Sequence, residues 1–328
     1  MRIFICEYIT GGGMQNEDLP PSLIHEGEMI LAALVTDLST IQTRVGEIMV
    51  SRDPRLVCPS LPATFISPAE EENIWDFWDR QMGEADALWP IAPETKGALE
   101  RLCNMAEKKG IILLAGNPSA IHAAAGKRTT AEILSRGGVT VVPTYEVGKA
   151  IPPSSTGWVI KPDDGVGAED THHFRDLENM RRWLTSHPGY IVQPYVDGDV
   201  ASLSILCRNG LASLLSCNRQ RVAISGGEIR ILALEVGGME EHRGAFSRLS
   251  DAIASLLPGL WGYNGIDVVC SREGIVVLEI NPRLTTSYVG LGESLDRNPA
   301  KLVLDLLEDG PLPPCHPRKV VTVDMAHE

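Results

Sequence analysis

The chain has 328 residues, of which 44% are hydrophobic and 22% charged, an ordinary composition for a globular protein. Its formal net charge of −14 argues against nucleic-acid binding. No apolar run approaches the roughly 20 residues that span a bilayer, and the seven cysteines are scattered without a Cys-x-x-Cys spacing. We therefore expect a cytoplasmic protein with reduced cysteines, two or three structural units, and neither a membrane nor a nucleic-acid partner.

Residues 1–116 alternate short apolar runs with segments of helical periodicity. The apolar runs are residues 3–6, 87–89 and 111–115, and the helical segments are residues 22–38 and 95–109. This alternation predicts a parallel sheet with helices packed on it.

The pattern changes from about residue 117. Residues 118–138 are helix-rich, short strands are predicted at 140–142, 158–161 and 191–194, and further helices at 177–184, 243–257 and 301–307. Two long strands between residues 201 and 224 are joined by Asn209-Gly210, a strong hairpin signal. The fold class is therefore α/β (α+β).

A second hairpin carries the most informative residues. Residues 265–269 and 275–280 are apolar runs separated by a short polar turn. Asp267 lies in the first strand, and strand alternation places Glu279 and Asn281 on one face of the second. Carboxylate and amide oxygens suit Mg²⁺, and Arg283 follows where it can face anionic oxygens. The same hairpin is also compatible with a half-solvated sheet of no special function.

Two lysines are candidate phosphate ligands. Lys161 ends an apolar strand and precedes a loop containing Gly165 and Gly167, whose backbone amides can close over phosphates. Lys127 begins a helix, where its charge opposes the helix dipole unless an anion lies nearby. An acidic turn and a solvated surface lysine explain the same patterns without a ligand.

The segment after residue 191 is a candidate nucleoside site. It contains Gln193, Pro194, Tyr195 and Val196, where the proline ends the strand and frees backbone groups that can bond an adenine. Asp199 can accept from ribose hydroxyls. An ordinary crossover between strands is the alternative. Farther on, Arg219 or Gln220 can reach phosphates or a substrate carboxylate.

The order of these motifs resembles the ATP-grasp superfamily over residues 117–285. The resemblance implies a pre-ATP-grasp substrate domain at 1–116, a small ATP-grasp subdomain at 117–197 and a large subdomain with the metal site at 198–328. It implies that the two lysines contact ATP phosphates, that residues 193–196 hold adenine, and that Asp199 binds ribose. The metal set would hold two Mg²⁺ (or Mn²⁺), while Arg283, with Arg219, would act on the transferring phosphoryl group. D-alanine–D-alanine ligases carry an arginine where this chain has Gly265, which disfavours that activity.

A finer resemblance is to the tyramine–L-glutamate ligase branch, which acts in methanofuran biosynthesis. It rests on residues 7–13, 92–94 and 279–290. It implies an ADP-forming ligase that joins L-glutamate to tyramine or tyrosine through an acyl phosphate. Arg219, Arg221 and Arg283 would serve the glutamate, and Glu7, Tyr8, Glu94 and Tyr288, expected in loops at the cleft, would serve the amine.

Other functions remain open on the sequence. They are a purine-pathway or other amino-acid ligase, a carboxylase subunit, and a nucleotide-binding module without turnover. The amine, the number of glutamates added, the choice of Mg²⁺ or Mn²⁺ and a homodimeric state are also left open.

Overall fold

The computed structural model describes residues 1–165, 170–187 and 189–325. The first part of the chain forms a five-stranded parallel sheet in the order β3-β2-β1-β4-β5. Its strands are β1 (Arg2–Glu7), β2 (Glu47–Ser51), β3 (Thr64–Ile66), β4 (Ala87–Ile91) and β5 (Ile112–Leu113). Its helices are α1 (Pro21–Ser39), α2 (Ile74–Met82) and α3 (Ala98–Lys109), the last preceded by a 3₁₀ turn at Thr95–Gly97.

A second, ten-stranded sheet follows, mostly antiparallel, in the order β14-β13-β10-β11-β12-β8-β7-β9-β6 with β15 paired to β12. Its strands are β6 (Tyr145–Glu146), β7 (Trp158–Pro162), β8 (His172–Phe174), β9 (Tyr190–Pro194), β10 (Asp199–Arg208), β11 (Leu211–Ser225), β12 (Glu228–Val236), β13 (Gly262–Ser271), β14 (Gly274–Asn281) and β15 (Val321–Asp324). Its helices are α4 (Pro118–Ala125), α5 (Lys127–Arg136), α6 (Leu177–Leu184), α7 (Arg243–Leu256), α8 (Ser287–Leu295) and α9 (Pro299–Asp305). None of the helices described is long and apolar enough to cross a bilayer.

Helix α1 joins the two sheets. Its buried residues include Leu31, Leu34 and Leu38, which belong to one hydrophobic core with residues of β1 and with Val236 and Leu291 from the second part of the chain. Because this core is continuous, the ends of the first sheet's strands are held at a fixed position relative to β13 and β14.

The long strands of the second sheet have one apolar and one polar face. Leu203 and Ile205 pack with Phe246 of α7 on the apolar face. On the other face Ser204 and Asn218 are fully buried, and Asn218 Nδ2 lies 3.1 Å from Ser204 Oγ. Buried polar side chains are tolerated there because they satisfy one another.

The structure confirms the predicted fold class, with a parallel front sheet followed by an antiparallel one. The helix-rich stretch predicted at 118–138 consists of two helices, α4 and α5, with Gly126 between them. The strand predicted at 140–142 is wrong, because Val141 makes only an isolated bridge to Val277.

Candidate active site

The β13–β14 hairpin places the three candidate metal ligands together. Asp267 pairs with Glu279 across the two strands, and Gly265 pairs with Asn281. The amide Nδ2 of Asn281 donates to Asp267 Oδ2 at 2.9 Å, which leaves the amide oxygen available. A β-bulge after Asp267 bends the pair at this point, as is common beside functional sites.

The two predicted phosphate lysines meet on Glu279. Lys161 Nζ lies 3.1 Å and Lys127 Nζ 3.4 Å from the same oxygen, Glu279 Oε2. Both lysines are nearly buried, with 11% and 6% of their side chains exposed. Strand β7 delivers Lys161 and the first turn of α5 delivers Lys127, so two distant segments bring their charge to one carboxylate.

Electrostatics separates the two carboxylates of the hairpin. Burial acts to raise the pKa of Glu279, but the ammonium groups of Lys127 and Lys161 outweigh it and the pKa is lowered. Burial raises the pKa of Asp267, and the neighbouring charge of Glu279 raises it further. Burial also lowers the pKa of Lys161. Glu279 is therefore the firmly ionised member of the pair.

The start of the glycine loop packs against Lys127. Its Nζ donates to the carbonyl oxygen of Gly165 at 2.7 Å and to that of Asp163 at 3.2 Å. Gly167, also predicted as a phosphate ligand, lies outside the described residues. Lys127 is thus held by carbonyls on one side and by Glu279 on the other.

The donor set fits a hard divalent cation. Asp267, Glu279 and Asn281 lie together on the hairpin, and carboxylate and amide oxygens suit Mg²⁺ when water or phosphate completes the shell. Across residues 1–165, 170–187 and 189–325, no three or more His, Cys, Asp or Glu side chains are grouped to hold a metal by themselves. A cation at the hairpin would therefore depend on ligands from a bound phosphate or water.

Arg283 follows the hairpin and forms a buried ion pair. Its Nε lies 3.1 Å from Oε1 of Glu94, and the two side chains are 12% and 5% exposed. Its NH1 also donates to the carbonyl oxygen of Leu284 at 3.1 Å. Glu94 comes from the segment after β4, so this pair connects the first sheet to the candidate metal set.

The predicted nucleoside segment links β9 to β10. The Gln193 side chain is buried and donates to Thr144 Oγ1 at 3.0 Å. Pro194 ends β9 opposite Trp158. The Tyr195 amide donates to the Gly157 carbonyl at 2.9 Å, and Val196 follows half-buried.

Arg219 and Asp199 lie apart from the metal set. Strand alternation places Arg219 on the face opposite Gln220, whose Nε2 donates to Asp267 Oδ1 at 2.8 Å. Arg219 instead contacts Asp199 at 3.1 Å and Glu235 at 3.6 Å. Of the two alternatives that the sequence offered, Gln220 is the one in contact with the candidate site.

Comparisons with known proteins identify the family of this chain. The ATP-grasp domain family matches residues 124–287, which is half of the chain, and the pre ATP-grasp 3 domain family matches residues 46–121. The chain belongs to the ATP-grasp superfamily.

Two curated relatives and one solved structure are similar to this chain. The tyramine–L-glutamate ligase of Methanocaldococcus jannaschii is 26% identical over 206 residues, covering 61% of this chain and 56% of the relative. That of Methanocaldococcus fervens is 29% identical over 211 residues, covering 63% and 61%. The match thus spans less than two thirds of either curated relative. A putative ATP-grasp superfamily protein from Archaeoglobus fulgidus has the same fold, with a TM-score of 0.74 at 23% identity over 98% of this chain and 91% of that one.

Within this ATP-grasp chain, two expected features of the amine side differ in the structure. Glu7 is not in a loop but ends β1, where Thr10 binds its carboxylate. Tyr288 is buried in α8, and its hydroxyl donates to Asp37 Oδ2 at 2.7 Å. Both side chains are buried in the packed interior, because β1 extends as far as Glu7 and α8 has already begun at Tyr288.

Sequence reasoning missed Arg52 and the acidic residues of α1 near this ATP-grasp site. The available signal was position, since Arg52 directly follows an apolar strand whose carboxyl end lies at the same sheet edge as Glu7. The strand at 47–51 was not predicted, so the sequence did not show that Arg52 lies at this sheet edge.

Proposed function

We propose that this protein is an ATP- and Mg²⁺-dependent carboxylate–amine ligase that joins L-glutamate to tyramine or tyrosine. The observation that carries the proposal is the contact of Lys127 and Lys161 with Glu279 beside Asp267. Two buried cations and two carboxylates at one strand end match the needs of phosphoryl transfer, which depends on positioning and charge more than on a protein nucleophile.

The proposed reaction has two steps. A substrate carboxylate oxygen attacks the terminal phosphorus of ATP, so that an acyl phosphate forms and ADP leaves. The amine nitrogen then attacks the acyl carbon, the amide bond forms, phosphate leaves, and the amine loses a proton. The metal, when bound, supplies positive charge to the phosphate oxygens.

The side chains of this chain have separate tasks in that scheme. Asp267, Glu279 and Asn281 would hold the cation. Lys127 and Lys161 would exchange Glu279 for phosphate oxygens, because a phosphate offers them more negative charge than one shared carboxylate.

Arg283 would stabilise the negative charge that develops on the oxygens of the acyl group. We retain residues 193–196 as the adenine segment, Asp199 as the ribose ligand and Arg219 as an accessory cation. We also retain the proposed domain boundaries after residues 116 and 197.

The names of the two Methanocaldococcus relatives support the choice of substrates. Two segments resemble this branch. The segment at residues 7–13 begins with the last residue of β1, and the segment at 279–290 contains the end of β14 and the start of α8. Glutamate and an aromatic amine are therefore the substrates to test first.

The test is incubation with ATP, Mg²⁺, L-glutamate and either tyramine or tyrosine. We expect ADP and phosphate by chromatography and a γ-glutamyl amide by mass spectrometry. Release of AMP and pyrophosphate would refute the acyl-phosphate route. Turnover only with other amines or acids would refute the substrates.

A pair of variants links the activity to the site. Lys161→Met should lower turnover by about two orders of magnitude through lost electrostatic stabilisation. Lys149→Met is the matched control, because that lysine is 70% exposed and pairs with Glu146 across a short turn. Equal activity of the two variants would remove Lys161 from the mechanism.

A further inference from the structure

The carboxyl edge of the first sheet contains a second group of charged residues. The strand order reverses between β1 and β4, which in open parallel sheets is where ligands bind. Glu7 ends β1, Arg52 follows β2, and Glu94 follows β4. Helix α1 contributes Glu26 and Glu28 above these strand ends.

Arg52 is the unusual member of this group. Its side chain is 3% exposed, and its NH1 lies 2.6 Å from Glu28 Oε1. Its NH2 donates to the carbonyl oxygen of Val57. Yet both Nε and NH1 are buried without an acceptor in hydrogen-bonding geometry. In the described ranges the only other such side-chain atom belongs to Asn264.

A buried guanidinium with unused donors needs a physical explanation. Leaving such donors unpaired costs about 1–3 kcal/mol, and more when the group is charged. Glu28 is close enough for attraction but poorly aligned, and its side chain is 28% exposed. An anion that approaches from the Glu28 side can supply the missing acceptors, since a carboxylate matches the planar fork of arginine.

Glu28, paired with Arg52, supplies the opposite charge, and Glu7 lies against the same helix. Glu7 accepts hydrogen bonds from the Thr10 amide and hydroxyl, both at 2.6 Å. Gly27 lets α1 approach this carboxylate, because a Cβ there would lie 2.8 Å from Glu7 Oε2. Glu28 is left with Arg52 as its only ion-pair partner among the described residues. A ligand with both a carboxylate and an ammonium group would satisfy both side chains.

This edge faces the proposed catalytic site. Thr286 Oγ1, close after the hairpin, donates to Glu26 of α1. Arg283 pairs with Glu94 at the same end of the sheet. A substrate anchored at Arg52 therefore has its far end directed toward the residues that follow β14.

We infer that Arg52 and Glu28 bind the α-carboxylate and α-ammonium of the amino acid whose side-chain carboxylate is activated. This inference rests on the proposed function and deepens it. It explains selection of the distal carboxylate, because the α-carboxylate is held by Arg52 away from the lysines.

Binding of three related acids tests the assignment. Calorimetry would compare L-glutamate, 4-aminobutyrate, which lacks the α-carboxylate, and glutarate, which lacks the α-amino group. A non-hydrolysable ATP analogue and Mg²⁺ would be present throughout. The wild type should bind glutamate at least about tenfold more tightly than either analogue, in line with the loss of one charged hydrogen-bond partner.

The variants should remove these preferences selectively. Arg52→Gln should weaken glutamate about tenfold or more and leave 4-aminobutyrate unchanged. Glu28→Gln should weaken glutamate and leave glutarate unchanged. Arg55→Gln is the control, since Arg55 is 41% exposed and pairs with Asp53 instead.

Several outcomes would overturn the inference. They are Arg52→Gln binding glutamate as the wild type does, or losing glutamate and 4-aminobutyrate equally. If Arg52→Gln does not fold, a wild type that binds 4-aminobutyrate as tightly as glutamate overturns it too.

The two proposals fail separately. Arg52-dependent glutamate binding without turnover would refute the proposed function alone. Turnover of glutamate with an unchanged KM in Arg52→Gln would refute this inference alone. A wild type that binds none of the common amino acids refutes both.

Discussion

One oxygen of Glu279 contacts both Lys127 and Lys161, which affects the order in which nucleotide and metal bind. A carboxylate shared by Lys127 and Lys161 has little net charge to offer a cation. Phosphates that draw the lysines away would return that charge to Glu279. We therefore expect metal binding at the hairpin to be weak without nucleotide and strong with it.

Glu279→Gln tests this arrangement. The amide keeps the shape but removes the charge that serves both lysines and cation. Turnover should fall by about two orders of magnitude or more, and nucleotide-dependent Mn²⁺ binding, measured by electron paramagnetic resonance, should be lost. Glu273→Gln, exposed in the turn of the same hairpin, should change neither. Retained Mn²⁺ binding in Glu279→Gln would exclude it as a ligand.

Glu7 should make stability depend on pH. Burial raises its pKa to about 7, although hydrogen bonds from Thr10 oppose the shift. An unfolded glutamate titrates near about 4.3. Between those values the folded protein keeps a proton that the unfolded chain has lost, so this group lowers stability as the pH rises.

Glu7→Gln removes that titration. Relative to the wild type, its free energy of unfolding should rise by up to about 3 kcal/mol from about pH 5 to about pH 8. Urea unfolding at both values measures the change. The exposed Glu70→Gln should show no such trend. A constant difference between Glu7→Gln and wild type would mean that Glu7 is ionised throughout.

At the scale of elements, Gly265 shows how closely the β13–β14 hairpin packs against the segment that follows it. A Cβ at this position would lie 2.7 Å from Thr285 Cγ2, well inside contact distance. The segment after β14 therefore folds back onto β13, leaving no room for a side chain. This close approach explains why a glycine fits at position 265.

Gly265→Ala should cost about 1–3 kcal/mol of stability through overpacking. Chemical denaturation gives the value. Gly46→Ala is the control, because the nearest atom to a Cβ there is 3.9 Å away. Equal stability of the two variants would show that Thr285 moves aside without cost.

Regular elements with strong periodicity could be predicted from the sequence. Helix α6 begins and ends at the predicted residues, and α1 differs by one residue at each end. Strand β2 and helix α8 were missed. The pairing of β2 with β1 is a long-range contact, and α8 contains Gly290 and Gly292, which weaken a helical pattern.

The contacts of the candidate site also differ in how far the sequence could predict them. The register of one hairpin places Asp267 opposite Glu279, so their proximity could be predicted from local spacing. The partner of Arg283 could not, because Glu94 reaches it through the tertiary arrangement of distant segments. Spacing along a strand predicts which face a residue occupies but not which distant charge meets it.

At the scale of the whole molecule, the Arg283–Glu94 pair and the core around α1 join the two sheets. The pair is buried on both sides, so each charge depends on the other for its solvation. The core beneath it is apolar and continuous. The first sheet therefore supports the candidate active site as well as packing beside it.

Glu94→Ala should destabilise the protein by about 3–5 kcal/mol, because it leaves Arg283 buried without its partner. Glu293→Ala is the control, since that glutamate lies within α8 and its pair with Lys319 is 63% and 56% exposed. Thermal and urea unfolding would measure both. A loss for Glu94→Ala no greater than for Glu293→Ala would mean that Arg283 finds another acceptor.

The buried ion pair also limits how such chains can recombine. A hybrid that takes its first 116 residues from a relative without an acidic residue at position 94 would have an unbalanced arginine beside its candidate metal ligands. We therefore expect exchange of residues 1–116 between relatives to succeed only when the donor also has an acidic residue at position 94. Positions 94 and 283 should therefore vary together between relatives, although 188 residues lie between them along the chain.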